Sequence, residues 1–296
     1  MKNWLNEYRA SLKAIEVEET LDLIIYRPLG FLLVKLIYKT SITPNQLTFL
    51  ALIAGAVAGH FFSLGTAQSF AIGAALYFLF NVFDCSDGQL ARLKRNGTLA
   101  GRIIDGIADY VSGILVYVGI GMGFADHQEQ KTLWWTLLSL AALSNILHSI
   151  VTDNERNRFM KHAWGKSDQF GDDLEIYRNE FQRLKLERKY GFSLLVIYIY
   201  LKYMLVAIKV SSHTKHHKTE SHFDPQQYYQ ANKSLIKMWT FLGPTTHITL
   251  LVISTLFYRP EWFIILMIVP YNLYWLLVSI IQKRTNRKLK TATTHA

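Results

Sequence analysis

The chain contains little cysteine and little charge, and each scarcity excludes a class of protein. Cys85 is the single cysteine among 296 residues, so a disulfide-built extracellular domain is excluded. The N-terminus, 1–13, is polar and lacks the charged-then-apolar order of a cleaved signal peptide. No sequence module typical of nucleic-acid binding is present, so no nucleic-acid partner is expected. Charged residues make up only 18% of the chain, which is less than in an average soluble domain.

Half of the residues are apolar, and they are concentrated in long runs. An apolar helix of about 20 residues crosses the roughly 30 Å of hydrocarbon in a bilayer. The runs that approach this length are 46–64, 68–84, 102–124, 132–152, 191–210, 236–257 and 261–282. The pattern predicts an all-α fold, a polytopic membrane helical bundle surrounded by membrane lipids.

The number of crossings depends on 191–210. If this run spans the membrane, there are seven crossings, and the basic tail 283–290 lies opposite the basic connector 92–102. If the run is interfacial or re-entrant, six crossings place the tail and the connector on one side. The positive-inside rule favours six, because basic connectors gather on the cytoplasmic side, whereas the length of the run favours seven. We expect about six transmembrane helices, with seven as the alternative.

The chain is expected to contain four segments. Charged and apolar residues alternate near the N-terminus, which is typical of an amphipathic helix lying in the membrane interface. Thr43 and Pro44 mark the start of the first span, as a cap and a first-turn proline. The segments are 1–40, amphipathic and juxtamembrane; 41–152, the first four transmembrane helices; 153–235, a polar cytoplasmic insertion; and 236–296, the last transmembrane helices and the basic tail.

Four aspartates lie in two pairs where the second and third predicted spans meet: Asp84 and Asp87, then Asp105 and Asp109. Each carboxylate near the centre of a membrane helix would cost about 2.5–3.5 kcal/mol on insertion scales, so the cluster needs compensation. The i,i+3 and i,i+4 spacings put each pair on one helical face. Two antiparallel helices joined by about a dozen residues would turn the four carboxylates toward each other.

The charge of this cluster predicts a metal site. Four carboxylates carry −4, which two divalent cations balance, and oxygen-only ligands favour Mg²⁺, Mn²⁺ or Ca²⁺ over zinc. Paired divalent ions suit phosphoryl transfer, with Arg92, Lys94 and Arg95 as further phosphate contacts. Spacing alone leaves two alternatives open. One is a partly protonated cluster paired with Arg92 and Arg102, and the other is the ion site of a divalent-cation transporter.

The aspartate region resembles the CDP-alcohol phosphotransferase family, also named CDP-alcohol phosphatidyltransferase. Thr43-Pro44-Asn45 at the start of the first span resembles the family as well, and the resemblance covers about residues 40–125. All eight residues of the family signature are present at the family's spacing. They are Asp84, Asp87, Gly88, Ala91, Arg92, Gly101, Asp105 and Asp109.

The resemblance implies a fold, a reaction and a set of site residues. Family members have about six membrane helices, usually form homodimers and carry the site near the cytoplasmic face. They move a phospho-alcohol from a CDP-alcohol to an acceptor hydroxyl and release CMP. When the family's residue roles are carried over to this chain, the four aspartates are expected to hold two Mg²⁺ or Mn²⁺ ions. Asp109 is also expected to be the base for the acceptor hydroxyl. The nucleotide-binding residues are then Asn45, Asp84, Asp87, Gly88, Ala91, Arg92 and Gly101.

The signature leaves the substrates open. We expect transfer from CDP-diacylglycerol to inositol, inositol phosphate or glycerol phosphate, in phospholipid biosynthesis at a bacterial or archaeal cell membrane. The alternative within the family is choline- or ethanolamine-type transfer from a soluble CDP-alcohol to diacylglycerol. Basic residues beside the later spans are the expected acceptor contacts: Arg156, Arg158, Lys161, Lys233 and Lys237.

Overall fold

The structure, a computed structural model, describes residues 2–12, 14–165, 169–187, 191–212 and 223–294. Every regular element within those ranges is helical, which confirms the all-α prediction. The α-helices are α1 (Lys2–Ser11), α2 (Arg27–Ile37), α3 (Pro44–Ser63), α4 (Ala67–Lys94), α5 (Leu99–Gly123), α6 (Lys131–Trp164), α7 (Gln169–Leu186), α8 (Phe192–Ser212), α9 (Pro225–Thr240), α10 (Pro244–Leu256), α11 (Pro260–Leu266) and α12 (Asn272–Thr294). The predicted N-terminal amphipathic helix is therefore two helices, with a short π-helical turn, Asp22–Tyr26, leading into α2.

Five helical stretches of the described chain are long and apolar enough to cross a membrane. They are Pro44–Ser63, Ala67–Lys94, Leu99–His127, Lys131–Trp164 and Pro260–Leu289. These stretches confirm a polytopic membrane bundle and match five of the predicted runs.

The predicted span 236–257 is wrong as a single helix. α9 ends at Thr240, and α10 starts at Pro244. Proline lacks the N–H that would continue the preceding helix and suits the first turn of a new one. The apolar run therefore contains a helix boundary, and α10 has only 13 residues.

The short helix α10 lies between the N-terminal segment and the connection from α3 to α4. At its start the N–H of Thr246 donates to Glu19 in the N-terminal segment, at 3.0 Å. Just beyond its end the Tyr258 hydroxyl donates to the carbonyl of Gly65, at 2.7 Å, in the α3–α4 connection. α5 and α6 each run the length of the bundle, so α6 ends at the side where α4 meets α5. Leu289 of α12 packs in one cluster with Phe159 and Met160 near the end of α6, so α12 returns toward that side.

The region 191–210 forms α8, whose side chains pack at the start of α5. Ile197 and Leu201 share an apolar cluster with Ala100 and Ile103. This position beside the first turns of α5 is compatible with an interfacial helix. Whether α8 enters the bilayer stays a prediction.

The α3–α5 contact is close because it is built on glycines. A Cβ atom added at Gly59 would lie 2.5 Å from the carbonyl oxygen of Leu115, and one added at Gly119 would clash with the carbonyl of Gly59. The GxxxG spacing of Gly55 and Gly59 therefore serves packing inside the bundle. As a result, the N-terminal turn of α3 lies directly beside α4 and α5, where the aspartates are.

A buried carboxylate ties the N-terminal segment to the bundle. Glu19 is 1% exposed and accepts hydrogen bonds from the N–H groups of Thr245 and Thr246 at the start of α10. Its Oε1 lies 3.2 Å from a guanidinium nitrogen of Arg156. A Cβ atom at position 243 would clash with this carboxylate, so Gly243 makes room for it. Burial outweighs these partners and raises the pKa of Glu19 to about 7.

Replacing Glu19 by glutamine is expected to remove a pH-dependent part of the stability. The pKa of this carboxyl is about 7 in the folded protein, against an ordinary value of 4.5. The folded state therefore binds the proton more tightly, and the wild type loses stability as the pH rises from about 4.5 to about 7. At 1.36 kcal/mol per pKa unit the full effect is about 3 kcal/mol.

Thermal unfolding of the wild type and Glu19→Gln in detergent, from about pH 5 to about pH 8, measures this effect. We expect the Tm of the wild type to fall relative to that of the variant as the pH rises. A Tm difference that stays constant across the range contradicts the assignment.

Candidate active site

The two aspartate pairs lie inside helices that meet at a short connection. α4 continues well past Asp84 and ends at Lys94, where Arg95 takes a left-handed φ of 53°. Thr98 then caps α5, because its hydroxyl oxygen accepts a hydrogen bond from the N–H of Gly101 at 3.0 Å. The predicted connection of about a dozen residues is therefore wrong. It contains only 95–98, which holds the ends of α4 and α5 firmly against each other.

Three of the four aspartates converge into a carboxylate trio of Asp84, Asp105 and Asp109. Each offers one oxygen, and these oxygens all lie within 4.8 Å of one another. Oδ1 of Asp105 is buried and has no hydrogen-bond partner, while Asp109 is the exposed member. Clustered carboxylate oxygens, one of them buried and unsatisfied, fit a hard divalent cation such as Mg²⁺ or Mn²⁺.

The fourth aspartate, Asp87, lies beside the trio and is also bonded to a neighbouring helix. The Thr48 hydroxyl of α3 donates a hydrogen bond to Oδ2 of Asp87. Thr48 was not among the predicted site residues, although it lies three residues after Asn45 and thus on the same helical face. Whether Asp87 joins the other three around metal ions stays a prediction.

A cavity of about 810 Å³ opens beside the aspartates, within the usual range of small-molecule sites. Six of the seven predicted nucleotide residues line it, and the seventh, Asp84, belongs to the trio. Asp105 lines the cavity and is also a member of the carboxylate trio, so the cavity and the trio adjoin. The lining residues are Pro44, Asn45, Thr48, Asp87, Gly88, Ala91, Arg92, Arg95, Gly97, Thr98, Gly101, Arg102, Asp105 and Tyr177.

Small residues of the signature leave room for polar groups in the cavity wall. A Cβ atom at Gly101 would lie 2.7 Å from Oδ1 of Asn45. One at Gly88 would lie 3.3 Å from Nη2 of Arg92. The glycines therefore allow the Asn45 amide and the Arg92 guanidinium to lie where they do.

The Arg92 guanidinium is hydrogen-bonded to the backbone through one nitrogen, and another of its nitrogens has no hydrogen-bond partner. Its Nε donates to the carbonyl of Ser11, at the end of α1, while its buried Nη2 has no hydrogen-bond partner. A buried, unsatisfied guanidinium N–H at a cavity wall favours an anionic ligand. Arg95 and Arg102 line the same cavity, so its charge suits phosphate.

Lys94 does not line this cavity. Its ammonium group donates to the carbonyls of Thr40 and Ile42, both at 2.9 Å. Lys94 therefore secures the connection between α2 and α3, and the expectation that it contacts phosphate is not supported.

The predicted acceptor contacts are engaged elsewhere or lie outside the cavity. Arg156 pairs with Glu19, and the ammonium group of Lys237 donates to the carbonyl of Ile15 at 2.9 Å. Arg158 lies 3.7 Å from Glu155. Among the described residues that line the cavity, none belongs to the predicted set of Arg156, Arg158, Lys161, Lys233 and Lys237. Their role toward an acceptor stays a prediction.

Fold and site together define an integral membrane protein with a carboxylate trio beside a basic, ligand-sized cavity at one end of its helical bundle. The CDP-alcohol phosphatidyltransferase family matches residues 41–214, more than half of the chain, and the chain belongs to this family. The match confirms the resemblance carried by the eight signature residues. The family is generally dependent on divalent metal ions, which agrees with the chemistry of the trio.

Curated relatives match part of the chain. A bifunctional IPC transferase and DIPP synthase of Thermococcus kodakarensis is 29% identical over 125 residues, 42% of this chain and 27% of the relative. The phosphatidylinositol phosphate synthase of Mycobacterium bovis is 30% identical over 112 residues, 38% of this chain and 51% of the relative. The phosphatidylinositol phosphate synthase of Corynebacterium glutamicum is 31% identical over 108 residues, which are 36% of this chain and 43% of the relative. The chain thus spans between 27% and 51% of these relatives' lengths.

Proposed function

We propose that the protein transfers a phosphatidyl group from CDP-diacylglycerol to a hydroxyl of inositol phosphate and releases CMP. The observation that carries this proposal is the cavity, which gathers six expected nucleotide residues beside the carboxylate trio. The names of the relatives support an inositol-type acceptor. Inositol and glycerol phosphate are the acceptors to compare with it.

Different residues of the cavity bind different parts of the donor. Nη2 of Arg92 donates to an oxygen of the pyrophosphate, and Arg95 and Arg102 add positive charge beside it. Gly88 and Ala91 let the nucleotide approach the backbone of α4 closely. The Thr48 hydroxyl fixes the orientation of the Asp87 carboxylate at the edge of the cavity.

We further propose that the four aspartates hold two Mg²⁺ or Mn²⁺ ions. When bound, such ions neutralise phosphate oxygens and stabilise the leaving group. The carboxylate of Asp109 accepts the proton of the acceptor hydroxyl. The acceptor oxygen then forms a bond to the phosphorus that carries the lipid, and the bond from that phosphorus to the bridging oxygen of the pyrophosphate breaks, so that CMP leaves.

The site is proposed to face the cytoplasm of a bacterial or archaeal cell, because Arg95 and Arg102 lie at the end of the bundle toward which α12 carries the basic tail 283–290. We also propose that the protein forms a homodimer, as the family resemblance implies. Size-exclusion chromatography with light scattering in detergent measures the oligomeric state, and a monomer would contradict this proposal.

Purified protein incubated with Mg²⁺, CDP-diacylglycerol and one acceptor at a time tests the reaction, with CMP release and the mass of the lipid product as readouts. We expect CMP and a new phosphatidyl lipid with inositol phosphate. A parallel reaction with CDP-choline or CDP-ethanolamine and diacylglycerol is the control. Product only in that control would reverse the direction of transfer, and metal flux into proteoliposomes without CMP in any reaction would favour a transporter.

Replacing Thr48 by valine is expected to slow this reaction. Valine keeps the shape but removes the hydroxyl that donates to Asp87, and a buried acceptor left unpaired costs about 1–3 kcal/mol. If that cost falls on the transition state, kcat/KM drops by about 5- to 150-fold. Thr48→Ser keeps the donor and serves as the matched control. Equal rates for Thr48→Val and the wild type would contradict a role for this hydrogen bond.

A further inference from the structure

One part of the cavity wall comes from outside the signature-bearing helices. Tyr177 of α7 lines the cavity together with residues of α3, α4 and α5. Among the described residues that line it, Tyr177 is the one aromatic side chain. The segment 153–235, to which α7 belongs, therefore contributes directly to the site.

Packing between helices fixes the position of Tyr177. The side chain is 5% exposed and shares an apolar cluster with Ala100 and Ile103 of α5 and Ile197 of α8. Its ring centroid lies 4.8 Å from that of Tyr200 in α8, with the two planes 59° apart. An aromatic ring held in this way loses little conformational freedom when a ligand binds.

The carboxylates and Tyr177 lie at different levels of the cavity. Gly101 precedes Asp105 by four residues, which is about 6 Å along α5 toward its N-terminus. Tyr177 shares its apolar cluster with Ala100 and Ile103, which lie on either side of Gly101 in the chain. A donor whose pyrophosphate lies against Asp105 and Arg92 can therefore direct its nucleoside along α5 to the aromatic ring.

We propose that Tyr177 contacts the pyrimidine base of the CDP-linked donor, so that α7 and α8 form part of the nucleotide site. The inference rests on the proposed function. It assigns the base-contacting role to a segment that lies outside the signature. Contact with an aromatic ring suits a nucleobase, because every base presents an apolar π-face.

Calorimetric titration of CMP into the purified full-length protein in detergent tests this contact. Tyr177→Leu keeps an apolar side chain but removes the ring, and we expect its Kd for CMP to rise about tenfold, which corresponds to about 1.4 kcal/mol. Tyr177→Phe keeps the ring and should stay within about twofold of the wild type. Tyr200→Leu is the matched control, since it alters the same aromatic pair without lining the cavity.

Inorganic pyrophosphate, which has no base, separates base contact from general damage to the cavity. All four proteins should bind it with equal affinity. Wild-type affinity for CMP in folded Tyr177→Leu overturns the inference and leaves the proposed function standing. An equal loss in Tyr200→Leu, or a parallel loss of pyrophosphate binding, overturns it as well. Failure of the wild type to bind CMP refutes the proposed function, and the role of Tyr177 falls with it.

Discussion

Asp109→Asn is expected to abolish CMP release while leaving a folded, membrane-inserted protein. Asparagine has the same shape as aspartate but does not accept the proton of the acceptor hydroxyl, and a positioned base contributes about 10²- to 10⁴-fold. Asp109 also belongs to the carboxylate trio, so the variant loses a metal-binding charge as well. We expect initial rates of CMP release to fall by at least about 10³-fold.

The matched control for this variant is Asp126→Asn. Asp126 is exposed near the opposite end of α5 and accepts a hydrogen bond from the Trp135 indole at 3.1 Å. The control makes the same chemical change away from the site and should keep the wild-type rate. CMP release by Asp109→Asn at the wild-type rate would refute its assignment as the base.

The second large effect is expected from Asp105→Asn, because Asp105 belongs to both the trio and the cavity. Loss of this charge weakens the binding of divalent ions, which supply several kcal/mol of transition-state stabilisation in phosphoryl transfer. The rate of CMP release should therefore fall by at least about 10³-fold at ordinary Mg²⁺ concentrations.

Titration with Mg²⁺ or Mn²⁺ distinguishes the two aspartates. Asp105→Asn should recover part of its activity at high metal concentration, whereas Asp109→Asn should remain inactive because it lacks the base. In metal-free buffer Asp105→Asn should also unfold at a higher temperature than the wild type, because it removes one of several clustered negative charges. A wild-type metal dependence in Asp105→Asn contradicts its place in the metal site.

Helical spacing was sufficient to predict much of the site. Asp105, Asp109 and Gly101 lie one turn apart on α5, so their common face follows from the sequence alone. The prediction failed where the apolar character of 236–257 outweighed the helix-breaking signal of Gly243-Pro244. It also placed the end of the second span at Asp84, because the polar residues that follow look unlike a membrane helix, although α4 continues through them.

Other contacts depend on tertiary packing and have no local signal. Tyr177 reaches the cavity only because α7 and α8 pack on α5. Arg156 was expected to be available to an acceptor, but the N-terminal segment folds back and supplies Glu19 as its partner. Sequence periodicity reports which residues share a face of one helix, and it does not report which distant segment covers that face.

The bonds of Glu19 have a consequence for the order in which the protein is made. The partners Arg156 and Thr246 follow Glu19 in the chain by 137 and 227 residues. The start of α10 can therefore receive its capping carboxylate only after Thr246 itself has been synthesised. Removing residues 1–20 would leave the Arg156 guanidinium and the first amides of α10 without this partner, so the packing of α6 and α10 depends on a segment far from them in the chain.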